Sequence, residues 1–381
     1  MRGSETSVTP RRGEEVMDST PRGADPQTIA GRHMAAEIAE QPEAVARTLD
    51  HLLPVRPELT RLLQGAQRVT FCARGSSDNA ALYGRYLMEA RCQIASGHVA
   101  PSIATHYRTD TDLTGAVVVS ISQSGRTEEI VAGQEWARRN GARTVAITNY
   151  DDSPLAAAAD IALVTRAGQE QAVPATKTYT TQLAAVAVLA AAATDLRGAN
   201  QPDAWEAELA GVPAAMQSLL NRADAVAPLV AAWQERPDMV VTSRGICLGT
   251  ALETALKAEE TCLRSVRAYS YADLRHGPIA AVDSSEAITL LAPADGPMVA
   301  PLTDLATQVA ERGARVVGIG GDAAFAAAVA HHVPGPDLPE HLAPLGLVLP
   351  GQLACLDLAR RTGLDPDSPE GLRKVTRTDR G

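Results

Sequence analysis

VTFCARGSSDNAALYGRYLMEA (Val69–Ala90) returns 170 residues later as MVVTSRGICLGTALETALKAEE (Met239–Glu260). Each copy opens on a β-branched run, breaks at an Arg-Gly pair (Arg74-Gly75, Arg244-Gly245), and continues with helical spacing of apolar residues. Working outward, GAVVVSIS (Gly115–Ser122), RTVAITN (Arg143–Asn149) and IALVTRA (Ile161–Ala167) read as further strands. TEEIVAGQEWARRNGA (Thr127–Ala142) reads as a helix between two of them. AITLLAP (Ala287–Pro293) and ERGARVVGIG (Glu311–Gly320) repeat the plan downstream. Short strands alternating with helices indicate βαβ units. The expected fold is α/β: two tandem doubly wound domains, each a parallel sheet flanked by helices. Their expected bounds are 33–200 and 236–362, with a helical linker at 201–235, a tail at 363–381 and a disordered extension at 1–32.

Composition narrows the class. The 381 residues carry a formal charge of −10, and no basic run is interleaved with aromatics, which argues against nucleic acid as a partner. Aromatics are 3%, too few for a stacking platform. The five cysteines are scattered and without a CxxC, as expected of core residues in a reducing cytoplasm. No apolar run has membrane-spanning length, so no membrane association is expected. The first 30 residues are polar with Pro and Gly and lack a signal-peptide core. His51, His98, His106, His331, His332 and His341 show no ligand spacing, and no catalytic metal or cofactor is expected.

The internal echo fails at one informative place. Where the first half has SISQSGRTEEIVAG (Ser120–Gly133), the second has APADGP (Ala292–Pro297), without a hydroxyl. A strand-to-helix turn gathers backbone N–H groups and the positive end of a helix dipole, which suits an anion. Gly125 permits close backbone approach, and Ser122, Ser124 and Thr127 each add a donor. One anion site per chain, in the first half, follows. The competing reading is N-capping by Ser124 or Thr127, with Glu128 and Glu129 complementing the dipole.

These motifs resemble the sugar isomerase (SIS) domain family. ISQSGRTEEI is similar to its phosphosugar-binding turn. HMAAEIAEQPEAVARTL (His33–Leu49), GQEQAVPATKTYTTQL (Gly168–Leu183), ALETALKAEET (Ala251–Thr261), LRHGPIA (Leu274–Ala280) and GLRKVTRTD (Gly371–Asp379) follow in the family's order. They resemble the isomerase half of glucosamine-6-phosphate synthase. Nothing before His33 resembles a glutaminase half, and ARGSSD (Ala73–Asp78) and Ala175 depart from the synthase motifs, so the stand-alone glucosamine-6-phosphate deaminases of the family are the nearer resemblance.

The resemblance implies phosphate and sugar contacts at Gly75, Ser76, Ser77, Ser122, Gln123, Ser124, Thr127 and Ala175. It implies a catalytic Glu260 with Glu253 and Lys257 beside it, a ring-opening His276 supplied by the partner of a homodimer, and a C-terminal Lys374. The synthase's arginine four residues before that lysine is Glu370 here. Physical chemistry offers each a plainer alternative. Glu253, Lys257 and Glu260 share one helix face, as a solvated salt-bridge ladder also would. A loop histidine is commonly a capping residue, and a lysine in a polar tail is commonly frayed. Lined against a pocket, the same groups are a C2 base, a ring-opening acid and a cation over the site.

The implied activity is deamination and isomerisation of glucosamine 6-phosphate to fructose 6-phosphate and ammonia. Elimination of the C3 oxygen from N-acetylglucosamine 6-phosphate, a lyase reaction, uses the same first step. Plain ketose–aldose isomerisation uses it too, and a non-catalytic phosphosugar sensor needs only the serine turn.

Overall fold

The computed structural model describes residues 29–196 and 202–374; the expected N-terminal extension before Ile29 and the tail after Lys374 lie outside the described residues. In chain order the first half runs α1 (Arg32–Leu52), α2 (Arg56–Leu63), β1 (Arg68–Cys72), α3 (Ser76–Ala90), β2 (Ala95–His98), β3 (Ala116–Ile121), α4 (Glu128–Arg139), β4 (Arg143–Thr148), α5 (Pro154–Ala157), β5 (Ile161–Val164) and α6 (Lys177–Asp195). Helices α7 (Pro202–Leu220) and α8 (Ala227–Glu235) follow. The second half runs β6 (Asp238–Ser243), α9 (Leu248–Cys262), β7 (Val266–Ser270), α10 (Tyr271–Arg275), β8 (Glu286–Ala292), α11 (Val299–Glu311), β9 (Arg315–Gly320), α12 (Ala323–Ala328), β10 (His331–Val333) and α13 (Ala343–Arg361).

The strands form two five-stranded parallel sheets, ordered β2-β1-β3-β4-β5 and β10-β9-β8-β6-β7. Counted from the first strand of each half, the two orders are the same. The repeat visible in the sequence is therefore a repeat of topology. All six residues of β3 and all seven of β8 are buried, as parallel strands covered by helices on both faces require. The edge strands β2, β7 and β10 carry no β-branched run and leave no comparable trace in the sequence.

Helices join the halves. Helix α6, rich in alanine, is buried from Lys177 to Ala193 and packs on α1, α2 and α3. Its small side chains let these neighbours approach closely. Helix α3 packs in turn on α9, and α9 on α13. The approach of α3 to α9 is close at Gly249, where any side chain would press into the Asn79 carbonyl oxygen. Tyr83 Oη donates to His341 O at 2.7 Å, and Gln41 Nε2 to Gln352 Oε1 at 2.7 Å, so buried polar bonds also tie α3 to the segment before α13 and α1 to α13. The five cysteines are free and buried.

In the first sheet, β1 lies between β2 and β3, and the chain leaves β1 and β3 in opposite directions. Such a divergence opens a crevice beyond the strand ends. Register places Cys72 opposite Ser120, so the turns Arg74–Ser77 and Ser122–Thr127 emerge side by side.

Candidate active site

A cleft of about 370 Å³ opens at that divergence. One wall is the serine turn. Gly125 has φ +59°, and its N–H donates to Ser122 O at 3.1 Å. A Cβ there would strike the Ser153 side chain. Thr127 stands at the start of α4, yet its hydroxyl makes no cap bond. It lies 3.1 Å from Ser122 Oγ instead, while Ser124 Oγ accepts from Arg126 N at 3.2 Å. The hydroxyls are thus not consumed in capping α4. Gathered at the N-terminus of a three-turn helix, they suit an anion with several oxygens.

The opposite wall comes from the second half of the chain. Glu260, near the end of α9, reaches the cleft with its side chain one-quarter exposed. Behind it Lys257 is fully buried, donating to Glu260 Oε2 and to Ser76 Oγ (3.2 Å) and lying 3.5 Å from Glu253 Oε1. Glu253, also fully buried, accepts from Asn79 Nδ2 at 2.9 Å. Burial pushes Glu253 above the usual carboxylate range, with Lys257 and Asn79 pulling back. Burial likewise opposes the Lys257 ammonium, but Glu253 and Glu260 more than offset it and hold its pKa above the usual lysine value. This is no solvated ladder: it is a buried ion network with one carboxylate at the surface of a pocket.

The third side is the tail. Lys374 Nζ donates to Glu170 Oε2 at 2.5 Å and to Ala172 O at 2.7 Å. Glu170, with no side-chain exposure, also accepts from Thr176 N, Thr178 N and Thr178 Oγ1. Burial would raise it, but Lys374 and these donors keep it below the usual range. Glu37 of α1 accepts from Gln171 N and Ala172 N in the same loop, and burial, with a smaller push from Glu170, raises it to about 7. Asp367 caps α1 through His33 N (2.9 Å) and Met34 N (2.7 Å), and its carbonyl accepts from Val173 N. The residues before Lys374 are therefore tied into the fold, and the lysine is not frayed.

Of the residues singled out in the sequence, Gly75, Ser76, Ser77, Ser122, Gln123, Ser124, Thr127, Ala175, Glu260 and Lys374 line this cleft. Glu253 and Lys257 do not; they stand behind Glu260. Nor does His276 line the cleft of its own chain. It ends α10, exposed, with Nδ1 2.7 Å from Ala272 O. A carbonyl only accepts, so Nδ1 carries a proton and Nε2 is left outward. Arg74, Glu170, Val173, Leu372 and Arg373 also line the cleft and were not singled out. Glu170 and Val173 fall inside the quoted GQEQAVPATK motif, but only packing shows that they face the site. Among the described residues no cluster of His, Cys, Asp or Glu is arranged to hold a metal, and no helix is long and apolar enough to cross a membrane.

The SIS domain model matches residues 62–192. Two glutamine–fructose-6-phosphate aminotransferases [isomerizing], from Leifsonia xyli and Thermococcus kodakarensis, are 32% and 30% identical over 90% of this chain. The chain spans 58% and 57% of their lengths. The solved C-terminal domain of glucosamine-fructose-6-phosphate aminotransferase from Francisella tularensis superposes with a TM-score of 0.81 at 27% identity, covering 89% of this chain and 98% of that one. A structure from Silicibacter pomeroyi DSS-3, described as that of a proposed phosphosugar isomerase, is 31% identical with a TM-score of 0.79, covering 89% of this chain and all of the other. Two parallel sheets with a serine-lined cleft between them, and a relative this similar along its whole length, make the chain a member of the SIS-domain family.

Proposed function

We propose that the chain is a phosphosugar isomerase of the SIS type that deaminates glucosamine 6-phosphate to fructose 6-phosphate. The observation that carries this reading is that Glu260 shares one cleft with the hydroxyls of Ser122, Ser124 and Thr127. An anion held at the serine turn then lies at one end of a pocket with a carboxylate on its wall. The relatives' names join an aminotransfer to fructose 6-phosphate with an isomerisation, and the present reading takes up the second.

In this mechanism the phosphate docks at the serine turn and His276 of a second copy protonates the ring oxygen. The open-chain aldehyde is then exposed at C1. Glu260 takes the C2 proton, and delivery of a proton to C1 leaves an imine at C2 and a hydroxymethyl group at C1. Water adds to the imine and ammonia leaves. Lys257 keeps the Glu260 carboxylate facing the cleft, and Lys374 closes the third side, formed by the tail.

The test is ammonia release from glucosamine 6-phosphate, with the N-acetyl form in parallel. Ammonia with fructose 6-phosphate, lost in Glu260→Gln, is expected. An ultraviolet-absorbing enone from the N-acetyl form without ammonia would replace deamination by C3 elimination. Binding without turnover, indifferent to Glu260→Gln, would replace the enzyme by a sensor.

A further inference from the structure

Arg74 leaves the sheet two residues after β1, beside Ser122, which leaves it just after β3. Its Nη2 donates to Glu129 Oε1 at 3.0 Å and its Nε to Glu129 Oε2 at 3.2 Å. Glu129 is the second residue of α4, buried, two residues beyond Thr127. A lone carboxylate there would repel any anion brought to the serine turn. Paired with a guanidinium it does not, and the fork fixes the cation's plane. Two of the three guanidinium nitrogens are thereby occupied. Nη1 has no partner among the described residues, although Arg74 lines the cleft and its side chain is 47% exposed.

The second half of the chain supplies an internal control. Arg244, the echo of Arg74, lies over the Tyr271 ring, 4.7 Å from its centroid. The residue 170 positions after Glu129 is Val299, and the hydroxyl turn is missing there. Only where the hydroxyls are present does a buried carboxylate hold the arginine at the turn.

We propose that Arg74 is a substrate-binding residue: its Nη1 donates to the oxygens of the phosphomonoester held by Ser122, Ser124 and Thr127, with Glu129 as the positioning residue that aims it. The proposal rests on the phosphate reading of the serine turn. With Glu129 balancing its charge, Arg74 adds a charged hydrogen-bond donor to a turn otherwise made of hydroxyls, backbone and a helix dipole. A dianion should therefore be favoured strongly over its unphosphorylated analogue.

The experiment measures dissociation constants for inorganic phosphate and 6-phosphogluconate by calorimetry. The proteins are wild type, Ser124→Ala, Arg74→Gln, Arg74→Lys, Glu129→Gln and the double variant Arg74→Gln/Glu129→Gln, each checked for folding by circular dichroism. Loss of a charged hydrogen bond should weaken both anions by about ten- to a hundredfold in Arg74→Gln. Arg74→Lys, which keeps the charge but not the fork, should fall between. The double variant should stay weak, because removing Glu129 cannot restore a donor. Binding restored in the double variant, or unchanged in Arg74→Gln while Ser124→Ala weakens it, would reduce Arg74 to a counter-ion of Glu129 and overturn the proposal while leaving the phosphate turn intact. No binding of either anion by the wild type would sink the phosphate turn, and Arg74 with it.

Discussion

Asn79 Nδ2 donates to Glu253 Oε2 at 2.9 Å, tying the helix that follows the glycine turn to the helix that carries Glu260. The bond joins residues 174 apart in the chain and depends on the close approach at Gly249. We expect Asn79→Leu to cost about 1–3 kcal/mol, because it strips a hydrogen bond from a buried carboxylate. Gly249→Ala should push α3 from α9, costing about 1–3 kcal/mol by overpacking. Urea unfolding reads both. If the network positions Glu260, both variants also lower kcat more than they raise KM.

Lys257 and Glu260 should separate stability from turnover. Lys257→Met leaves Glu253 buried without its cation, and we expect a loss of about 3–5 kcal/mol. Glu260→Gln, at the edge of the cleft, should fold with little change in Tm while kcat falls by about 10²–10⁴-fold. Thermal unfolding beside steady-state kinetics checks the contrast, and equal destabilisation of both would refute it.

Ser122 and Ser124 should act on binding. Each alanine variant removes one hydrogen bond from an uncharged donor to a charged phosphate, worth about 1.5–3 kcal/mol, so KM should rise roughly ten- to a hundredfold with kcat nearly unchanged. A fall in kcat at constant KM would place these hydroxyls at the reacting carbons instead.

Glu37 should make stability fall as pH rises. Its carboxyl is raised from 4.5 to about 7 chiefly by burial, so between those values the folded chain binds a proton the unfolded chain does not. That contribution, on the order of 3 kcal/mol, is complete below pH 4.5 and lost as pH passes 7. Glu37→Gln keeps an acceptor for Gln171 N and Ala172 N and removes the titration. The Tm of the variant relative to wild type should therefore climb from pH 5 to pH 8, and parallel curves would contradict the assignment.

Lys374 and Glu170 should behave with the opposite sign. Glu170 is held below its usual range, so its pairing contributes stability above the unfolded pKa and loses it as pH falls through the folded one. Lys374→Met should cost about 3–5 kcal/mol near neutral pH, and less in acid, where Glu170 becomes protonated. Denaturant unfolding at pH 7 and pH 4 measures the difference.

Much of the fold was legible because β-branched runs, Gly punctuation and helical spacing act over windows of ten to twenty residues. The offset of 170 between the two Arg-Gly turns reappears as one strand order used twice. Of the edge strands only β5 was legible: ASGH in β2 and HHV in β10 pair on one side only and need no apolar alternation. The serine turn was readable as an anion site or as a cap, and the Thr127 hydroxyl, free of any cap bond, weighs against the cap. The burial of Glu253 and Lys257 was not readable, since three charges on one helix face look the same in solvent and in a core.

By itself the sequence determined the α/β repeat, the hydroxyl-rich turn confined to the first half, and the spacing that sets Glu253, Lys257 and Glu260 on one face of α9. Tertiary structure alone decided that Glu260 looks into the cleft, that Lys257 stands between two carboxylates behind it, and that Glu129 holds Arg74 in a two-bond pair on the same cleft as the serines. Periodicity and turn chemistry are local and survive in any short window. The approach of two side chains from distant segments, and the dielectric in which their charges meet, exist only once α3, α6, α9 and the tail have packed.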